Sequence, residues 1–186
     1  MYAKQPTVYY GLMYLAKNAK KEVKIHTPYI ICNDYMYNEL KNIKVPTTIM
    51  TNSAENNGNI FGAVDYLNHK KDIINTGVTI KEYEGGISYH GKSMTIDDDI
   101  AIVGSFNMDM RSAYIDTELM LVINSKDINK QLKASMEEYE KKAATVKNET
   151  EYSHIPEGMK MKELSDKKKN IKAWFGWAMN GLRFLF

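Results

Sequence analysis

The spacing of apolar residues in this chain switches repeatedly between a helical period and strict alternation, and that switching restricts the fold more than any other feature. Val8, Leu12, Leu15, Ala16 and Ala19 recur at helical intervals behind Pro6. Val23, Ile25 and Thr27 then alternate with Lys24 and His26, as in a strand with one buried face, and Pro28 ends the ladder. Asn33 or Asp34 is placed to cap a short helix carrying Tyr35 to Leu40. A second strand is expected at Thr47 to Thr51, followed by an Asn-rich polar loop to Asn59. A helix from Phe61 to Thr76, stopped by Gly77, leads to a strand from Val78 to Tyr83. Ser88 to Val103 reads as two strands joined at Asp97, Asp98 and Asp99. Glu118 to Ile123 reads as another, ahead of a helix from about Ser125 to Lys142 with Ile128, Leu132 and Met136 on one face. Strands alternating with helices predict an α/β fold, a mixed β-sheet flanked by helices.

Of the 186 residues, 44% are apolar and 26% charged, which suits one ordinary core. The 25 cations nearly balance the 23 acids, so no global field marks a nucleic-acid binder. The charge is uneven, however. Residues 167–186 hold Lys167, Lys168, Lys169, Lys172 and Arg183 and no acid, leaving 20 cations against 23 acids elsewhere. The single cysteine, Cys32, can neither close an intramolecular disulfide nor complete a cysteine-based zinc site, and reads as a structural thiol. Lys4, Lys17 and Lys20 interrupt the N-terminal stripe, so no signal-peptide core is indicated, and no apolar run reaches the 18 residues of a membrane-spanning helix. From about Thr145 to Asp166 the composition turns polar. The expected organisation is therefore a catalytic unit at 1–145, a loosely packed connector at 146–166 and a basic amphipathic tail at 167–186.

The residues that carry chemistry lie between His90 and Glu118, in the text HGKSMTIDDDIAIVGSFNMDMRSAYIDTE. On a strand from Ser88 to Ile96, His90 and Lys92 would project to one face. A neutral imidazole beside an ammonium suits phosphoryl chemistry, because the nitrogen attacks phosphorus while the cation offsets charge on the non-bridging oxygens. Gly104, Ser105 and Asn107 follow in a turn where glycine lets backbone approach an anion and the two side chains can donate to it. Glu118 is a candidate to orient an imidazole by accepting its other N–H. His26, His69 and His154 lack such company: His69 with Lys71 would fall on different faces of a helix, and His26 and His154 read as structural or exposed.

His90, Lys92, Asp97, Gly104, Ser105 and Asn107 resemble the H-x-K-x4-D-x6-G-S-x-N signature of the phospholipase D superfamily. Such a match arises by chance on the order of once in a hundred thousand chains of this length. Thr27-Pro28-Tyr29, Thr51-Asn52-Ser53, the segment Tyr66 to Lys70, and Asp109, Arg111, Ser112, Thr117 and Glu118 are similar to the second half of bacterial cardiolipin synthases. The resemblance implies a phospholipase D-like half-domain and a metal-independent, cofactor-free phosphodiesterase or phosphatidyltransferase. One histidine would become a phosphohistidine and a second would protonate the leaving alcohol. It implies that His90 is one of that pair, that Lys92 and Asn107 bind the phosphate, that Asp97 supports the hairpin rather than touching substrate, and that Ser105 and Glu118 are supporting groups around the pocket.

Only one such signature is present, so the second histidine must come from a second phospholipase D-like half: another copy of this chain, or an N-terminal half that this sequence lacks. The flanking text favours the latter. The substrate implied is a phospholipid, processed peripherally at the cytoplasmic face of the membrane. Lys167 to Phe186 would either lie on an anionic membrane surface, with Trp174, Phe175, Trp177, Met179, Leu182, Phe184, Leu185 and Phe186 below its cations, or dock as a helix on protein. Two further possibilities are a dimeric metal-independent endonuclease and a non-catalytic regulatory half. The first is disfavoured by Asp97, Asp98, Asp99, Asp109 and Asp116 around the site, which repel nucleic acid.

Overall fold

A computed structural model of the chain describes residues 4–175 and Arg183, with the side chains of Trp174 and Phe175 left aside. In chain order its elements are α1 (Thr7–Lys17), β1 (Val23–His26), β2 (Ile30–Ile31), α2 (Asp34–Lys41), β3 (Thr47–Asn52), α3 (Ile60–Ile74), β4 (Thr79–Tyr83) and β5 (Ser93–Ile96). There follow β6 (Ile100–Gly104), β7 (Met108–Asp109), α4 (Met110–Tyr114), β8 (Met120–Asn124), α5 (Lys126–Glu140), β9 (Ala143–Val146), β10 (Tyr152–His154) and α6 (Asp166–Phe175). The large sheet is ordered β10-β9-β4-β3-β1-β5-β6-β8, and β2 pairs with β7 in a separate two-stranded ladder. Strands β1, β3 and β4 are parallel and the remaining neighbours antiparallel, so the expected mixed α/β sheet is observed.

Register explains why the two faces differ. Ile80, Ile49, Ile25, Met94 and Ile102 are direct neighbours across five strands, and all are buried. Tyr9, Leu12 and Met13 of α1, Met36 and Leu40 of α2 and Tyr66 and Ile73 of α3 complete this core. Each fully buried Leu or Met adds on the order of 2 kcal/mol. The side chains that alternate with the apolar row, Lys24, His26 and Lys81, turn to the opposite face. There α5 meets them with Glu137 and Glu140. Helix ends follow the cap rules: Asn33, Asn59 and Ser125 each accept a hydrogen bond from the first-turn amide of α2, α3 and α5.

The segment at 146–166 departs from the expected loose connector. The boundary at 145 falls inside β9, which pairs with β4, and β10 extends the same sheet. The Tyr152 hydroxyl donates to Glu82 Oε2 at 2.5 Å, joining a buried cluster in which Lys70 pairs with Glu82 at 2.8 Å. A buried ion pair of this kind fixes where the hairpin docks. Polar composition disguised the segment because it is an edge hairpin whose anchoring contacts are themselves polar.

The tail is tied down as well. Lys168, read above as one of the cations facing an anionic surface, is instead buried, and its ammonium donates to the carbonyls of Ala54 (2.8 Å), Glu55 (2.5 Å) and Asn57 (3.0 Å). Arg183 grips Asp65 at 2.6 and 3.1 Å and the Cys32 carbonyl at 2.9 Å. Lys167, Lys169 and Lys172 remain exposed. Trp177, Met179, Leu182, Phe184, Leu185 and Phe186 lie outside the described residues. Cys32 is fully buried and burial pushes its thiol well up, in keeping with a structural role. Among the described residues no helix is long and apolar enough to cross a membrane.

Candidate active site

Four stretches converge at the carboxyl ends of β1 and β3: Pro28 and Tyr29 after β1, Asn52 at the end of β3, Tyr89 to Lys92 ahead of β5, and Gly104 to Glu118 after β6. His90 and Lys92 are close together, but not as strand neighbours, because β5 begins only at Ser93. The reason is Asn52. Its buried amide accepts from the Tyr89 N–H at 2.7 Å and donates to the Tyr89 carbonyl at 2.9 Å, replacing a strand partner. The same Nδ2 reaches the Pro28 carbonyl at 3.0 Å. One side chain therefore fixes the backbone on both sides of the site, ahead of Tyr29 and ahead of His90. Sequence reasoning noted Asn52 only as part of a similar tripeptide; an amide ending a central strand is the signal that pointed to it.

The His90 imidazole is exposed and has no hydrogen-bond partner among the described residues, and the Tyr29 ring stands 6.4 Å from it. Partial burial and the neighbouring Lys92 charge both lower its pKa, which keeps it neutral and nucleophilic near pH 7. Lys92 donates to the His90 carbonyl at 2.9 Å. Burial lowers its pKa too, against the opposing pull of Glu118 and Asp109. Among the described residues Asn107 Oδ1 is buried without a partner and Nδ2 makes no hydrogen bond, so the donor end of this amide is left for a ligand. An ammonium beside an unpaired imidazole, and an amide donor left unpaired in the following turn, are groups that a phosphodiester can use.

The supporting residues take separate roles. Both oxygens of Glu118 are taken by hydroxyls, Ser105 Oγ on one side and Ser112 Oγ at 2.8 Å on the other, so within this chain it orients serines rather than an imidazole. Ser105 is equally committed, accepting from the Leu119 amide at 3.0 Å while donating to Glu118. Gly104 proves to be a packing glycine: a Cβ there would stand 2.1 Å from the Leu119 carbonyl, so β8 could not approach β6 beside any larger residue. Asp97, with φ +51°, accepts from the amides of Lys20, Lys21 and Glu22 and anchors the β5–β6 turn to the start of β1. Those three amides outweigh burial and lower its pKa.

Two residues were not singled out as site residues from the sequence. Asp109, 2% exposed, caps α4 through Ser112 N at 2.6 Å, and burial pushes its carboxyl up to about 6, with Glu118 and Asp116 adding to the rise. Ser112 in turn links Glu118 to the Asn107 amide, whose N–H it accepts at 3.2 Å. Asp109 caps and Ser112 sits on α4, a helix of five residues that carries too little periodicity to be read from sequence. No group of three or more His, Cys, Asp or Glu side chains gathers as metal ligands among the described residues.

Residues 12–139 match the family described as cardiolipin synthase, PLD-like domain. Cardiolipin synthase 1 of Staphylococcus epidermidis strain ATCC 12228 is 31% identical over 157 residues, 83% of this chain and 31% of that protein. A cardiolipin synthase of Staphylococcus aureus strain Mu50 is 32% identical over 127 residues, 67% of this chain and 25% of the relative. The chain thus spans about a third or less of the curated relatives it matches. Among solved structures, the phosphatidylserine synthase of Haemophilus influenzae Rd KW20 superposes with a TM-score of 0.69 at 15% identity, over 94% of this chain and 44% of that one. The phospholipase D family member NUC from Salmonella typhimurium gives 0.60 at 17% identity, over 74% and 89%. At those identities the likeness is one of fold.

Proposed function

The chain belongs to the cardiolipin synthase family of phospholipase D-like domains, and from that premise we propose that it is one half of a phosphatidyltransferase acting on phosphatidylglycerol. The observation that carries this reading is the neutral-leaning imidazole of His90, with no hydrogen-bond partner among the described residues and the Lys92 ammonium held on its own carbonyl, followed in the same signature by the unpaired amide of Asn107. In the proposed reaction His90 attacks the phosphorus of one phosphatidylglycerol, and the bond to the headgroup oxygen breaks. The departing glycerol takes a proton from a second histidine. The hydroxyl of another phosphatidylglycerol then gives its proton back to that second histidine and attacks the phosphohistidine, whose P–N electron pair returns to His90. Lys92 and Asn107 Nδ2 hold the non-bridging oxygens, where charge grows in each transition state. Asp97, Ser105 and Glu118 hold the framework around them.

The second histidine comes from another phospholipase D-like half, and an unfinished surface beside the site supports this. Strand β8 is an edge of the sheet among the described residues; Leu121 and Val122 on it are 57% and 47% exposed, and Leu119 just before it is 78% exposed. An apolar edge strand left open is a surface that a partner half would cover. The short span against the curated relatives favours an N-terminal half as that partner, with a second copy of the chain as the other source. Lys167, Lys169 and Lys172 are the cations left to face an anionic bilayer at the cytoplasmic surface, each worth about 1 kcal/mol at most.

The test is to incubate the purified chain, over a range of concentrations, with phosphatidylglycerol labelled in its phosphatidyl moiety. An acid-labile labelled protein and cardiolipin or phosphatidic acid are expected, and His90→Asn removes both. Absence of label and products at every concentration, both for the chain alone and with a separately supplied N-terminal phospholipase D-like half, or cleavage of plasmid DNA in EDTA in their place, overturns the reading.

A further inference from the structure

A cleft of about 630 Å³ opens beside His90, and its lining is not the one that grips phosphate. Tyr83, Tyr89, Ser135, Tyr139 and Lys142 line it with His90, whereas Lys92 and Asn107 do not. The walls are built rather than incidental. The rings of Tyr83, Tyr89 and Tyr139 meet edge to face, with centroids 4.8 to 6.0 Å apart. The Tyr89 phenol lies across Gly91, where a Cβ would come within 2.3 Å of its oxygen, so this glycine keeps the ring in the wall. Asn52 holds the Tyr89 backbone from behind.

The polar groups of this cleft are uncommitted. Ser135 Oγ, Tyr139 Oη and Lys142 Nζ make no hydrogen bond or ion pair with protein among the described residues. No carboxylate lines the cleft among the described residues. The acids nearest in sequence are engaged elsewhere: Glu84 with Ser53 and Lys162, Glu138 with Lys141, and Glu140 with His26 and Lys81. Phenol and serine hydroxyls both donate and accept, which suits a polyol, and a lone ammonium among them suits one negative charge.

We propose that this cleft seats the acceptor as a phosphorylated polyol. Its hydroxyls pair with Ser135 and Tyr139, its phosphate pairs with Lys142, and its free hydroxyl is directed at phosphorus on His90. This rests on the phosphatidyl-transfer reading above and adds a place for the second substrate, distinct from the groups that hold the transferred phosphate. The chemistry is shared by a free glycerol phosphate and by the headgroup of phosphatidylglycerol.

Calorimetric titration of the purified chain decides it without needing turnover. The separate arms are sn-glycerol 3-phosphate, dioctanoyl phosphatidylglycerol, inorganic phosphate and glycerol. Saturable binding is expected for the first two, weakened about tenfold by Lys142→Met and about threefold by Tyr139→Phe, and unchanged by Lys141→Met. Binding of dioctanoyl phosphatidylglycerol alone identifies the lipid headgroup as the occupant, and equal binding of both identifies the polyol phosphate itself. No saturable binding, or binding matched by inorganic phosphate and indifferent to Lys142→Met, overturns the proposal. If the transfer reading fails instead, label and product are absent while this binding and its Lys142 dependence persist.

Discussion

His26 and His90 stand on either side of one residue, Tyr89, and have opposite fates. Tyr89 packs edge to face on the His26 ring at 5.6 Å and immediately precedes His90. His26 is 1% exposed, and its Nε2 faces Glu140 at 3.2 Å; Lys81 meets the same carboxylate at 2.6 Å. His90 is exposed and its ring has no hydrogen-bond partner among the described residues. Burial lowers both imidazole pKa values, but for His26 the Glu140 hydrogen bond opposes it, whereas for His90 the Lys92 charge reinforces it. The same side chain is used in one place to hold two layers together and in the other is left free for a ligand. What separates the roles is the company each ring keeps, since neither burial nor a lowered pKa does so by itself.

The strongest way to break this contrast is to exchange the two roles by mutation. His90→Asn is expected to lower phosphohistidine formation by about a thousandfold or more, with stability in urea changed by less than about 0.5 kcal/mol. His26→Ala is expected to cost about 2–3 kcal/mol and leave labelling per folded molecule within a few-fold of the parent. Loss of labelling in well-folded His26→Ala would mean that the buried histidine belongs to the chemistry.

The carboxylates of the two regions sharpen the comparison through pH. Burial alone would raise Glu140, but His26, Lys81 and Lys24 outweigh it and hold it at about 2; Asp109, buried among acids, sits at about 6. Unfolded, the two titrate near 4.5 and 3.8. For Asp109 the folded state binds the proton more tightly, so stability rises as pH falls from about 6 towards 4. For Glu140 the unfolded state does, so stability present above about 4.5 is lost as pH falls towards 2. Urea midpoints across pH 2 to 8 are expected to peak near pH 4 to 5. Asp109→Asn, which keeps an α4 cap, removes the rise of up to about 1.4 kcal/mol per pH unit on the alkaline side and leaves the acid fall in place. An unchanged rise in that variant would assign the slope to another group.

How far this was legible in sequence depends on the range of the interactions. The Ile80, Ile49, Ile25, Met94 and Ile102 row and the capped helices write themselves locally, as a period or a cap residue, and the sequence pattern finds them. His90, Lys92 and Asn107 were visible because their spacing is fixed. The serine partners of Glu118, the packing of Gly104 against Leu119 and the Lys168 cradle depend on segments up to 114 residues apart, and no local pattern encodes them. The strand drawn through His90 failed for the same reason: Tyr89 alternates like a strand residue, but its ladder partner is a side chain on β3.

That side chain gives the smallest and most specific prediction. Asn52→Asp keeps the shape and the acceptor for the Tyr89 N–H but loses the donors to the Pro28 and Tyr89 carbonyls. The Tyr89 carbonyl loses its Asn52 donor and the Pro28 carbonyl keeps only Asn57 Nδ2 at 3.5 Å, at a cost of about 2 kcal/mol, which a core change such as Ile73→Ala matches or exceeds. If Asn52 only stabilises, the two variants should look alike once stability is accounted for. If it positions His90, the NMR titration of the His90 Hε1 proton shifts and broadens in Asn52→Asp, since Tyr29 and Lys92 no longer sit at fixed distances from the ring. In Ile73→Ala that titration stays at the parent value. The His26 signal, held by Glu140 on the far side of Tyr89, should move in neither, so a shift there would dissolve the separation between the two histidines.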